Sequence, residues 1–214
     1  KDRMLQFVNF RKSYGNVEVL KIENMLIEPS IYWVKGVNGS GKTTLLKAIA
    51  GLIWFEGDII LTGKASIKKQ AVVYRRRVNF AEAEPIFPDF LTGREMINVF
   101  ASAKGAFEGQ KQFYIESMKI QSYMEQPLGT YSSGMLKKLS LVLAFLGNPK
   151  LILLDEPLIT LDVESLEILY SWIAEKCKKD GTSFMLSSHQ PLNYDVLPTA
   201  RELLVEKQTL NFKI

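Results

Sequence analysis

Gly36-Val37-Asn38-Gly39-Ser40-Gly41-Lys42-Thr43 decides the reading of this chain. The segment fits the pattern G-x-x-x-x-G-K-[ST] in full. Glycines at these spacings let successive backbone N–H groups turn inward around a phosphate. A helix starting near Lys42 adds the positive end of its dipole. The Lys42 ammonium is long enough to reach β- and γ-phosphates, and the Thr43 hydroxyl is the kind of hard oxygen that Mg²⁺ prefers. The flanks agree. An extended run from Ile27 to Val34, interrupted by Pro29, precedes the loop, and helical spacing over Thr43–Ala50 follows it and stops at Gly51.

Outward from the loop, strands and helices alternate. Met4–Phe10 and Val17–Ile22 read as strands about a turn at Ser13–Asn16, Gly57–Leu61 as a short strand, and Val78–Ala81 as another. From Thr92 to Met124 the spacing is helical, with a break at Gly105 and Gly109, and Thr92 with Glu95 forms a capping box. A polar turn after Gly129 leads to a helix that runs to about Gly147. Leu151–Leu154 is a wholly apolar run of the kind buried in parallel sheets. Asp162–Lys179 is helical, Ser183–Ser187 is a strand, and Glu202–Ile214 reads as two closing strands. The pattern predicts an α/β fold with a small helical lobe. Its core is residues 1–87 and 148–214, and its lobe about 88–147, within a single domain over 1–214.

Composition narrows the chemistry. The chain has 214 residues, 47% hydrophobic and 23% charged, which suits one domain with a real core. No apolar stretch is long enough to cross a bilayer, and nothing at the start reads as a secretory signal. One cysteine and one histidine exclude an internal disulfide and a multi-histidine zinc cluster. A net charge of +4 is too weak to argue for nucleic acid without a concentrated patch. Six cations, Lys64, Lys68, Lys69, Arg75, Arg76 and Arg77, do cluster, and they read as a solvated strand face, with a lipid or nucleic-acid role as the alternative.

Asp155-Glu156 closes the Leu151–Leu154 run. A carboxylate at the C-terminal end of a buried strand is placed to hold Mg²⁺, directly or through water. Glu156 diverges from Asp155 and can orient or deprotonate an attacking water. Two acids that simply end a strand in solvent are the bland alternative, and the phosphate loop in the same chain argues against it.

Three further features narrow the family: Tyr131-Ser132-Ser133-Gly134-Met135 before a helix, Ile159-Thr160-Leu161-Asp162 after Glu156, and His189 after the Ser183–Ser187 strand. With these the whole chain resembles the nucleotide-binding subunit of ATP-binding cassette (ABC) transporters, bacterial export-type members in particular. The resemblance implies a phosphate-loop NTPase core with a mostly parallel sheet, an N-terminal antiparallel β subdomain and a small α-helical lobe. It implies ATP and Mg²⁺ as ligands, with Asn38, Gly39, Ser40, Gly41, Lys42, Thr43 and Thr44 around the phosphates and Thr43 with Asp155 on the metal.

Ser132, Ser133 and Gly134 sit at the family's signature motif, usually Leu-Ser-Gly-Gly-Gln, which binds the γ-phosphate held by the opposite subunit. Tyr131, Ser133 and Met135 depart from that pattern, and Ser133 is tolerable unless its position needs a positive φ. Ser132 also reads as a plain helix cap. His189 resembles the switch histidine that contacts γ-phosphate and water. Asp162 resembles the residue that communicates between subunits, and equally caps the helix after it. Glu82 falls where most members carry glutamine, so the resemblance gives it a role toward Mg²⁺ and water, against the alternative of a solvated loop acid. Tyr14 resembles the aromatic that stacks on adenine, with a partly buried turn tyrosine as the alternative. Ile86, Phe87, Phe90 and Met96 lie where the family forms a groove for a short helix of the membrane subunit, or else pack inside the lobe.

The implied activity is ATP hydrolysis, with Lys42, Glu82, Glu156 and His189 as the catalytic set. The implied assembly is a homodimer, or a heterodimer with a similar subunit, that sandwiches ATP. The implied partner is a separate transmembrane permease that holds the chain on the cytoplasmic face of the membrane, without nucleic acid. A soluble ABC-type ATPase of DNA repair or translation, and a phosphate-loop kinase, are the rival readings.

Overall fold

The computed structural model describes residues 3–213; Lys1, Asp2 and Ile214, which bound the expected domain and its last expected strand, lie outside the described residues. The long alternating N-terminal segments become β1 (Leu5–Tyr14) and β2 (Val17–Ile27), a hairpin that turns at Gly15-Asn16. β4 (Glu56–Leu61) pairs with the other edge of β1, and the short β5 (Ala65–Ser66) pairs with β4. All of these pairings are antiparallel.

The second sheet is built from β3 (Ile31–Lys35), β6 (Val78–Ala81), β7 (Leu151–Asp155), β8 (Ser183–Ser187), β9 (Arg201–Glu206) and β10 (Thr209–Phe212). Their order across the sheet is β10-β9-β3-β8-β7-β6, parallel throughout except for the β9–β10 hairpin. The central strands are short and almost wholly apolar because both of their faces are covered. Alternation along them assigns each residue to one face. Trp33, Ile152, Leu154, Phe184 and Leu186 join a core shared with the C-terminal helices. Tyr32, Val34, Leu151, Leu153 and Met185 join a core shared with the antiparallel sheet.

Register is what builds the site. Val34 lies opposite Ser187, Ser187 opposite Asp155, and Ala81 opposite Leu154. Four neighbouring strands, β3, β8, β7 and β6, therefore end along one edge. The next residues of each are, in turn, Gly36, Ser188-His189, Glu156 and Glu82. That edge is where ligands bind in open α/β sheets.

Six helices flank the sheets among the described residues: α1 (Lys42–Ile49), α2 (Ala71–Arg77), α3 (Gly93–Lys104), α4 (Glu108–Ser117), α5 (Ser133–Phe145) and α6 (Val163–Asp180). The Thr92–Glu95 capping box is present at α3. Most of α5 is buried, including all of Leu139–Phe145, so it is a core helix rather than a surface one. Two expectations need correction. The basic cluster is not a strand face: Lys64 closes a turn, Lys68 and Lys69 lie in a second turn, and Arg75–Arg77 form the last turn of α2. Val72-Val73 invites a strand reading, but Tyr74 is the one buried residue of the segment, which is helical spacing about a single anchor. Met96 is buried in the helical core, whereas Ile86 and Phe90 are 88% and 80% exposed.

Candidate functional site

The glycine loop follows β3 directly and bends sharply. Gly36 has φ +156°, and a Cβ there would lie 2.4 Å from Ser40 Oγ and 2.6 Å from the Val205 carbonyl, so no other residue fits. Gly41 caps α1 in the left-handed region at φ +104°, packed against Val19 and Leu20 of β2. Lys42 is buried. Its Nζ donates to the carbonyls of Gly36 at 2.7 Å and Val37 at 3.1 Å. Burial pushes its pKa below the ordinary lysine value, and the nearby charges of Glu156 and Asp155 oppose that shift. Ser40 Oγ is buried inside the loop with no hydrogen-bond partner among the described residues. An orphaned hydroxyl there fits a loop that closes on an anion. Asn38 and Gly39 form the exposed turn of the loop, and Thr44 follows Thr43 in the first turn of α1.

Across the sheet edge the carboxylates are tied together. Thr43 Oγ1 donates to Asp155 Oδ2 at 2.9 Å, and Ser187 Oγ donates to Asp155 Oδ1. Glu156 adopts φ +44°, an unusual conformation for a side chain-bearing residue. Its N–H donates to both the Ser187 carbonyl at 3.1 Å and Ser187 Oγ at 3.0 Å, which holds the strained backbone in place. The Glu156 carboxylate meets His189: Nε2 lies 3.2 Å from Oε1, and the His189 N–H donates to Oε2 at 3.4 Å. His189 is half exposed and Glu156 is mostly covered, so the pair faces outward from the sheet edge. Trp33 Nε1 donates to the Ser188 carbonyl at 3.0 Å, fixing the backbone before His189.

The other expected residues lie around this cluster. The Glu82 carboxylate pairs with Lys47 of α1 at 3.4 Å rather than standing free. Tyr14 ends β1, is half exposed, and has Lys12 Nζ 4.3 Å from its ring centroid. Ser132 caps α5, accepting from the Met135 N–H at 3.2 Å, and both Ser132 and Ser133 are exposed. Ser133 does not adopt a positive φ, so its Cβ is unstrained. Gly134 has the Thr160 carbonyl as its nearest neighbour, 3.5 Å from where a Cβ would lie. Asp162 caps α6 through the Ser165 N–H at 2.8 Å and pairs with Lys138 of α5 at 2.8 Å. The Lys138 hydrogen bond, with those from Ser165, holds its carboxyl well below the usual carboxylate range. Among the described residues, no hydrogen bond or ion pair joins the Ser132 segment to the phosphate loop of the same chain.

Two residues of the cluster are missing from the expected set. Ser187 was legible only as the end of a strand, because its partnership with Asp155 and Glu156 comes from register. Lys137 is 1% exposed, and its Nζ donates to the carbonyls of Glu82 (3.2 Å), Ala83 (3.0 Å) and Asp155 (3.2 Å). Burial pushes its pKa down to about 8. It shares a helix face with the buried Ser140, Leu141 and Ala144, so a lysine on an apolar face was the available signal.

Comparison with known proteins bears on this arrangement. The chain is 31% identical over 175 residues to ATP-binding cassette sub-family A member 7 of Mus musculus, across 79% of its own length but only 8% of that protein. It is 38% identical over 166 residues to the cytochrome c biogenesis ATP-binding export protein CcmA of Legionella pneumophila, covering 75% of this chain and 80% of that one. The fold matches the solved ATP binding subunit of an ABC transporter with a TM-score of 0.86 at 22% identity, over 98% and 90% of the two chains. It also matches the ATP-binding cassette MJ0796, a dimer bound to ADP and Pi, with a TM-score of 0.77 at 22% identity over 98% of each. The family model described as ABC transporter matches residues 21–159, more than half of the sequence. The chain belongs to the ABC transporter family.

Proposed function

We propose that this chain is the ATP-hydrolysing subunit of an export-type ABC transporter, working as a dimer with ATP between the protomers and driving a separate membrane-spanning permease. One observation carries the reading. Thr43, Asp155, Ser187, Glu156 and His189 form a continuous hydrogen-bonded row beside the glycine loop, from the first turn of α1 across the adjacent ends of β7 and β8.

The residues fit a Mg–nucleotide. The loop N–H groups and Lys42 would hold a polyphosphate, and the buried, unpartnered Ser40 Oγ fits such an anion. Among the described residues no three His, Cys, Asp or Glu side chains form a metal cage. That suits Mg²⁺, which takes one or two protein oxygens and completes its shell with phosphate and water. Thr43 Oγ1 and Asp155 Oδ2 are the two oxygens for it here. When bound, the ion neutralises charge developing on the phosphate oxygens. Glu156 then orients the attacking water and accepts its proton as the new P–O bond forms and the bond to the ADP oxygen breaks. His189 fixes the Glu156 carboxylate and adds a donor beside the γ-phosphate. The Lys47–Glu82 pair tempers the extra negative charge that a carboxylate brings at a position where the family resemblance implies glutamine. Tyr14 offers an exposed ring to a base.

The nucleotide is completed from outside the chain. Ser132, Ser133 and Gly134 present an exposed helix start to the γ-phosphate of a second protomer, and Asp162 links that helix to the loop after Glu156. Segment 88–147 acts as the helical lobe of a single domain. Beside it, Leu52, Phe80, Ile86, Phe87 and Phe100 line an apolar groove with Glu82 on its wall, suited to a short helix of the permease. No described helix is long and apolar enough to cross a membrane; in this reading translocation belongs to the permease. On this reading the chain works peripherally, on the cytoplasmic face.

Phosphate release from MgATP without any acceptor tests the proposal. The wild-type chain turns over. Glu156→Gln binds ATP but loses turnover by at least about 100-fold, as expected for removal of a water-activating group. Full turnover in that variant contradicts the assignment. Release that requires an added acceptor points instead to a kinase.

A further inference from the structure

The basic cluster is not explained by the nucleotide site. Lys64, Lys68, Lys69, Arg75, Arg76 and Arg77 fall in a stretch with no acid between Asp58 and Glu82. These six cations exceed the net charge of the whole chain, +4, so the remainder is net acidic. Among the described residues none of the six pairs with a carboxylate. Cations elsewhere commonly do: Arg11, Lys21, Lys35, Lys47, Arg94 and Lys111 each have an acidic partner. Unpaired like charges gathered on α2 and the turns before it repel each other, and an anionic partner relieves that repulsion.

The same region carries exposed apolar groups. Trp54 is 69% and Val72 70% exposed, with Leu52 and Val73 beside them. Two contacts fold the Gly51–Phe55 turn and α2 into one surface. Lys68 Nζ donates to the Phe55 carbonyl and lies 5.3 Å from the Trp54 ring centroid, and Arg75 Nη2 donates to the Gly51 carbonyl at 2.9 Å. On α2, Val72, Val73 and Arg76 are exposed, as is Lys69 in the turn that leads into it, while Tyr74 points inward and anchors the helix on the Ile49 carbonyl at 2.7 Å.

We propose that this α2 face binds the anionic headgroups of a membrane surface, with Lys69, Arg76 and Arg77 on the lipid phosphates and Trp54 and Val72 at the headgroup–acyl boundary. Basic residues interleaved with an exposed Trp and aliphatic side chains are the composition of an interfacial surface. Nucleic acid is the weaker fit, because Leu52, Val72 and Val73 cannot stack on bases and gain nothing from a phosphate backbone. Leu52 and Arg75 also line the apolar groove, so lipid contact and permease contact would be continuous on one side of the molecule. The inference goes beyond the function proposed above and uses no residue of the nucleotide site.

Intrinsic fluorescence reads it directly. Of the three tryptophans, Trp33 and Trp172 are buried, so a vesicle-induced change reports Trp54. The full chain is titrated, without permease or nucleotide, with vesicles of phosphatidylcholine alone and of phosphatidylcholine with phosphatidylglycerol. The expected result is co-flotation and a blue shift with the anionic vesicles only, weakening as salt rises. Lys69→Glu/Arg76→Glu/Arg77→Glu lowers the apparent affinity at least about 100-fold. Trp54→Ala abolishes the blue shift while retaining much of the salt-sensitive binding. Circular dichroism and ATP turnover in solution establish that the variants are folded. Equal binding to neutral and anionic vesicles overturns the proposal, as does anionic binding that survives the triple substitution, or no blue shift in the wild type. Tighter binding to a double-stranded oligonucleotide than to the anionic vesicles overturns the lipid assignment. Each of these results leaves the ATPase reading standing, which turnover tests separately.

Discussion

Ser187 shows how much of the site is decided by a single hydroxyl. It donates to Asp155 and accepts the Glu156 N–H, so one side chain sets both the carboxylate proposed for the metal and the backbone of the carboxylate proposed for the water. Supporting partners of this kind are worth about 10- to 100-fold in activity. Ser187→Ala is therefore expected to lower kcat by about that factor with little change in KM for ATP, measured by phosphate release. A change confined to KM would place Ser187 in ground-state binding instead. Lys137 acts at longer reach. It ties the helix that starts at Ser132 to the backbone of Glu82, Ala83 and Asp155. Lys137→Met leaves three carbonyls, that of Asp155 fully buried, without that donor and is expected to cost about 2 kcal/mol in urea unfolding. Unchanged stability would mean that the carbonyls find other partners. Neither residue was legible as part of the site. Lys42, Thr43 and Asp155-Glu156 were, because motif spacing alone carries their chemistry, whereas Ser187 and Lys137 reach the site only through strand register and helix packing.

Elements were legible in proportion to their periodicity. The runs Leu151–Leu154 and Ser183–Ser187 appear as β7 and β8, and the Thr92–Glu95 capping box opens α3, because burial and capping are local signals. α2 was misread because it is short and its two valines favour a strand locally, while its single buried anchor, Tyr74, belongs to a tertiary contact. Asp162 belongs at this scale, since both of its readings meet in one side chain: cap of α6 and ionic tie to α5. Asp162→Asn keeps a capping acceptor and removes the Lys138 pair, at an expected cost of about 0.5 kcal/mol for a half-exposed, salt-screened pair. Asp162→Ala costs about 1 kcal/mol more through loss of the cap. Because the folded-state pKa is depressed, the charged contribution is present above the ordinary carboxylate pKa and lost as pH falls through the lowered folded value. Urea melts of the wild type and the Asn variant should therefore differ at pH 7 and converge in acid. A gap that stays constant with pH would show that the charge is not responsible.

For the whole molecule, two sheets and two cores place every proposed phosphate and water ligand of this chain along one edge, while Ser132 marks the exposed start of α5, whose remainder is buried. A γ-phosphate bound by both features requires two chains, arranged head to tail. On the proposed function, ATP contributes to the interface and hydrolysis weakens it, so nucleotide chemistry becomes relative motion of protomers. The most direct measurement is the mass of Glu156→Gln in sedimentation equilibrium with and without MgATP, repeated with Ser132→Arg added. The account predicts a monomer without nucleotide, a dimer with MgATP, and a monomer again when Ser132 is replaced. A mass that stays monomeric at saturating MgATP, or a dimer indifferent to Ser132→Arg, would contradict the shared site.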